Sequence, residues 1–131
     1  TSNIPKEWMK SYQDVLNVPK WAFEDSYVYD GVLYIHGEGV TARTKSLREA
    51  MSVVQGHRHT EGYVWYNARI EGAFFGMQVG CGIDVDAMAF SYGKNFPKKP
   101  TLGCGVVLDG GKTALFIPMD LGSKIIHKNT L

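Results

Sequence analysis

Across residues 4–16 the apolar positions Trp8, Met9, Tyr12, Val15 and Leu16 recur at steps of three and four, the period of one helix face. Pro5 suits the first turn of such a helix, and Asn17 to Pro19 closes the pattern. An extended stretch begins at Trp21-Ala22-Phe23 and runs to Tyr27-Val28-Tyr29, where Asp30-Gly31 predicts a tight hairpin turn into a strand over 32–35. Residues 41–51 are predicted helical, with Leu47, Ala50 and Met51 on the apolar side. The run Val53-Val54-Gln55 predicts a short strand. Beyond it the pattern is mostly β, with strands expected over 63–67, 73–79, 103–108 and 113–118, a hairpin turn at Asp109-Gly110-Gly111, and a helical turn within 84–92.

The order strand, helix, strand near the start predicts a parallel unit, whereas the later runs predict an antiparallel meander, so the fold class is α+β with mixed strands and one or two helices. A chain of 131 residues suits one domain. Residues 122–131 are expected to form a flexible tail. A hydrophobic content of 44% with 21% charged residues is that of an ordinary globular protein, and no stretch reaches the roughly 20 apolar residues of a spanning helix. Residues 1–10 lack the apolar centre of a signal peptide, which makes the cytoplasm the expected location.

Charge narrows the chemistry less. A net charge of +1 gives no general attraction to nucleic acid or membrane. The basic stretch with Lys94, Lys98, Lys99 and Phe96 is short, and such a patch is usually a solvated loop. Cys81 and Cys104 each stand beside glycine without Cys-x-x-Cys spacing, which predicts buried free thiols. Ser46, Ser52 and Ser91 lack a Gly-x-Ser-x-Gly elbow, and Gly103-Cys104-Gly105 lacks the Lys-Ser/Thr ending of a phosphate loop. Asp84 and Asp86 form a carboxylate pair of the kind more often used in capping, and Trp65 and Tyr66 are expected in the core.

The histidines change the picture. His36 follows the run Val32-Leu33-Tyr34-Ile35, and Gly56-His57-Arg58-His59 follows Val53-Val54-Gln55, with Gly56 leaving room for a sharp turn. A neutral imidazole offers a lone pair to borderline transition metals, and strand ends hold ligands rigidly. His-x-His alone is equally compatible with a solvated turn.

The stretch 30–121 resembles the C-terminal half of calcineurin-like metallophosphoesterases, especially the small phage and bacterial members. The residues that carry this are Tyr34-Ile35-His36-Gly37, a helix, Val53-Val54-Gln55-Gly56-His57-Arg58-His59, and the glycine-rich strands Phe75-Gly76-Met77-Gln78-Val79-Gly80-Cys81-Gly82 and Gly103-Cys104-Gly105-Val106-Val107-Leu108. The resemblance implies the C-terminal half of a four-layer αββα sandwich with two divalent transition metals, manganese, iron or zinc. It implies that His36 and His57 bind one metal and His59 the other, and that the complete domain hydrolyses a phosphoester.

The family's earlier motifs, Asp-x-His, Gly-Asp-x-x-Asp and Gly-Asn-His-Asp/Glu, do not occur in this sequence. The bridging aspartate and the other early ligands are then expected from elsewhere, from a longer chain or a separately encoded N-terminal half, and the isolated chain is expected to be inactive. A degenerate relative, acting as a noncatalytic binding or assembly subunit, is the alternative. Missing first strands would leave an unpaired edge and an apolar face, so complementation by an N-terminal half or self-association is expected.

Overall fold

The computed structural model describes residues 10–83 and 97–119. The predicted helical turn within 84–92, Asp84, Asp86, Ser91, Lys94, Phe96 and the predicted tail lie outside them. Helix α1 (Tyr12–Leu16) starts at Ser11, whose hydroxyl accepts the Asp14 N–H, and ends at Asn17 in the left-handed conformation. Pro5, Trp8 and Met9 also fall outside the described residues. The expected buried face needs correction: Tyr12, Val15 and Leu16 are all more than half exposed, and Tyr12 instead meets Phe23 with ring centroids 5.3 Å apart.

A five-stranded sheet follows, built from β1 (Ser26–Tyr29), β2 (Val32–Ile35), β3 (Ser52–Gln55), β4 (Gly62–Arg69) and β5 (Gly72–Val79) in the order β1-β2-β3-β5-β4. Asp30 and Gly31 both take positive φ, as the two-residue hairpin turn between β1 and β2 requires. β2, β3 and β5 are parallel, and β1 and β4 pair antiparallel at the edges. A parallel pair needs a crossover, which α2 (Ala42–Glu49) supplies between β2 and β3. The expected meander is realised only in pairs. β4 and β5 form one hairpin, but β5 then docks parallel on β3, because its run from Phe74 to Gln78 is buried on both faces.

β6 (Gly103–Leu108) and β7 (Thr113–Pro118) form a separate antiparallel ribbon. It packs on one face of the sheet, where Val32, Phe75, Met77 and Ala114 form the buried core, with Tyr34, Val54, Val64, Val79 and Val107 around them. Tyr66 staples the two layers: its hydroxyl accepts the Ala114 N–H at 2.8 Å and donates to the Ala114 carbonyl. Trp65 lies on the opposite face under the Arg43 guanidinium, 4.6 Å from the ring centroid; it is half-buried and Tyr66 is exposed, so the expectation that both aromatics lie in the core is corrected.

Helix α2 covers the other face over β3 and β5. Its buried residues are Ala42 and Ser46, whereas Leu47 is exposed, so the expected apolar side is not the packed one. The reason is Gly76 on β5. A Cβ there would stand 2.6 Å from the Ala42 carbonyl oxygen, so the helix backbone lies directly on the strand and only small side chains fit between them. The described residues thus form three layers, helix, sheet and ribbon, in a mixed α+β arrangement.

Candidate functional site

The parallel strands β2 and β3 end side by side, with Ile35 in register with Gln55. In open sheets of this kind, ligands bind beyond the carboxyl ends of the strands. His36 and Gly56-His57 are the next residues on those two strands. The His57 Nδ1 and His36 Nε2 atoms stand 3.2 Å apart, with the rings edge to face and their centroids separated by 5.2 Å.

The turn that produces this contact differs from the sequence expectation. Gly56 does not take the positive φ; His57 does, at 67°. The Arg58 N–H donates to the Gly56 carbonyl at 2.8 Å, which closes a γ-turn with His57 at its centre, a strained form for a residue with a Cβ. A second i to i+2 bond runs from the Val40 N–H to the Glu38 carbonyl around Gly39, in the loop that follows His36. Arg58 is fixed by Glu61, whose Oε1 accepts from Nε at 2.9 Å and from Nη2 at 2.6 Å and holds the guanidinium above its usual range.

His59 is exposed and does not join the pair. Its carbonyl accepts the Thr101 N–H at 2.7 Å, which ties the loop to the segment ahead of β6, where Leu102 forms an isolated parallel bridge to Cys81. Among the described residues, no three His, Cys, Asp or Glu side chains converge to hold a metal ion. The cysteine expectation is corrected in part: Cys81 is half-buried, and Cys104 on the ribbon is exposed. Ser46 and Ser52 are buried structural hydroxyls, the first donating to the Arg43 carbonyl and the second accepting the Phe75 N–H. Lys98 and Lys99 are exposed.

A cleft of about 430 Å³ opens beside His36 on the ribbon side of the sheet. Tyr27 and Tyr34, register partners on β1 and β2, form one wall; Val54 and Val79 line it further, and Glu24 and Asp25 bring carboxylates. Nothing in the sequence singled out Glu24 and Asp25, because acidic residues ahead of a strand are common on any surface. Burial raises the Tyr34 phenol above its ordinary value, with Asp30 and then Tyr29 adding to the effect.

The pair passes one geometric test for a metal. Two ring nitrogens bound to one ion at about 2.0–2.1 Å, with an angle near 100° between them, stand about 3.2 Å apart. That is the separation found. The same atoms also suit a single N–H···N hydrogen bond between neutral rings. No protein-family model, curated protein or solved structure matches the chain.

Proposed function

We propose that this chain supplies histidine ligands to a dinuclear metal site that hydrolyses phosphoesters, and that it is inactive until an N-terminal half brings the remaining ligands. The observation that carries the reading is the 3.2 Å approach of His36 and His57 at the ends of adjacent parallel strands. Bound divalent cations supply Lewis-acid stabilisation of phosphoryl charge and a potent oxygen nucleophile near neutral pH. His36 Nε2 and His57 Nδ1 hold the first cation, and His59 serves the second. The γ-turn at His57 supports the assignment, because backbone strain is concentrated at functional positions. Three neutral ligands leave two dications under-compensated, so carboxylates from the N-terminal half complete the site, and Glu24 and Asp25 add negative charge to the adjoining cleft.

A noncatalytic binding or assembly subunit is the second reading, favoured by the finding that, among the described residues, no three His, Cys, Asp or Glu side chains converge to hold a metal ion. Calorimetric titration with manganese and zinc, run beside a phosphodiesterase assay in manganese, tests the first reading. The expected result is metal binding that His36→Ala and His57→Ala each abolish without unfolding the chain. No turnover is expected from the chain alone, with turnover appearing when an N-terminal half carrying Asp-x-His and Gly-Asp-x-x-Asp is co-expressed. A wild-type chain that takes up no metal would overturn the ligand assignment. Turnover by the isolated chain, lost in His57→Ala, would overturn its dependence on a second half.

A further inference from the structure

Gln55 and Gln78 are register partners on β3 and β5, and both are fully buried. Their carboxamides hydrogen-bond the backbone of the two histidine loops. The Gln78 carboxamide nitrogen donates to the Gln55 carbonyl at 3.1 Å and, more closely, to the Gly56 carbonyl. The Gln55 carboxamide nitrogen donates to the Val40 carbonyl at 2.7 Å. Flipping either amide would set its oxygen against a carbonyl, so both orientations are fixed by their partners.

The acceptors are the informative part. The Gly56 carbonyl that receives Gln78 is the same one that receives the Arg58 N–H and closes the γ-turn at His57. Val40, whose carbonyl receives Gln55, is also the residue whose N–H closes the turn around Gly39 after His36. Gln55 therefore ends on the turn that follows His36 and Gln78 on the turn centred on His57, and the two glutamines are neighbours in the sheet. Gly37 is fitted to the same arrangement: it takes φ +96°, and a Cβ on it would overlap the Gln55 Cγ and Cδ.

This arrangement is unfavourable for stability alone. Both Gln55 Oε1 and Gln78 Oε1 are buried without a hydrogen-bond partner, a desolvation cost that apolar residues such as the neighbouring Val53 and Met77 do not carry. We infer that Gln55 and Gln78 are positioning residues that lock the His36 and His57 loops in mutual register, so that the two ring nitrogens are presented together. The inference rests on the reading of those histidines as metal ligands, and it adds an outer layer of the kind that orients ligands elsewhere.

The test compares Gln78→Met and Gln55→Met, which keep an unbranched chain and remove the donors, with Ser52→Ala, which removes a buried hydrogen bond in the same sheet but touches neither loop. Cobalt affinity is expected to fall about 10–100-fold in each glutamine variant, the usual effect of removing an outer-layer partner. It is expected to stay unchanged in Ser52→Ala, which loses thermal stability with its buried hydrogen bond. Unchanged cobalt affinity in both glutamine variants would overturn the proposal. If the wild-type chain binds no cobalt, the ligand reading fails, and nuclear magnetic resonance of the rings decides the positioning role separately. The His36–His57 ring contact is expected in the wild type and in Ser52→Ala and lost in Gln78→Met; its survival in Gln78→Met would overturn the clamp. Should the variants not fold, exchange of the carboxamide protons in the wild type provides the measurement: Gln78 side-chain protons exchanging as fast as exposed amides would refute it, and protection like that of the sheet amides would uphold it.

Discussion

The γ-turn at His57 sets stability against function at one residue, and two substitutions separate the terms. His57→Ala and His57→Gly both remove the imidazole and its 3.2 Å contact with His36, so their difference isolates the backbone. At φ 67° the alanine variant retains the strain of a Cβ in the left-handed region, about 1–2 kcal/mol. Glycine relieves it but loosens the unfolded chain by about 0.4–1 kcal/mol. The net expectation is that His57→Gly is the more stable by about 1 kcal/mol. With a urea m-value of about 2 kcal/mol/M, the midpoint difference is about 0.5 M at unchanged slope.

A control of opposite sign sits two residues away. His59 is exposed and is not among the residues with positive φ, so His59→Gly should be less stable than His59→Ala, by about 0.5–1 kcal/mol. Urea unfolding of the four variants, followed by fluorescence and circular dichroism, gives both comparisons. If His57→Gly proves no more stable than His57→Ala, the residue is not strained, and the support that strain lends to the metal reading is lost. Glycine variants that gain stability at both positions would point to a general unfolded-state effect instead.

Two further outcomes follow from the packing and the charges. Gly76→Ala forces a methyl to 2.6 Å from the Ala42 carbonyl oxygen, against the 3.4 Å at which ordinary contact begins, and should cost about 1–3 kcal/mol by thermal unfolding; Gly82→Ala, with open space around it, should be nearly neutral. The Tyr34 phenol is raised by burial, so its contribution to stability is fully present below the unfolded value of about 10 and is lost as pH rises through the folded value. Melting temperatures from about pH 9 to 11.5 should therefore fall less steeply in Tyr34→Phe than in the wild type, and identical slopes would contradict the burial argument.

Some elements were legible because local chemistry and tertiary packing agree. Asp30-Gly31 marks its hairpin by the one turn type in which both residues take positive φ, and β2 occupies the predicted 32–35. The ribbon also falls on the predicted strands, its four-residue loop turning through positive φ at Asp109, Gly110 and Gly111. Where packing overrides local pattern, the reading fails. Helix α2 was expected to bury Leu47, but the partner surface is a glycine, so the side that packs is the one with the smallest residues. A hydrophobicity pattern along one segment carries no information about the shape of the surface it meets.

The candidate site divides along the same line. Strand ends placed His36 and His57 together because the chain makes β2 and β3 adjacent and parallel, which the helix between them already implied. Their approach to 3.2 Å depends on a turn that the sequence misassigned, since Gly56-His57 invites positive φ at the glycine, whereas the structure places it on the histidine. Its setting is visible only in three dimensions: the Gly56 carbonyl accepts both the Gln78 carboxamide and the Arg58 N–H, and the positive φ falls on His57 between Gly56 and Arg58. A trace of this was present in the sequence. Gln55 ends a strand after Val53-Val54 and Gln78 interrupts another apolar run, and a polar side chain in a strand buried on both faces requires a partner that the strand itself does not supply. For both glutamines that partner is the backbone of a histidine loop.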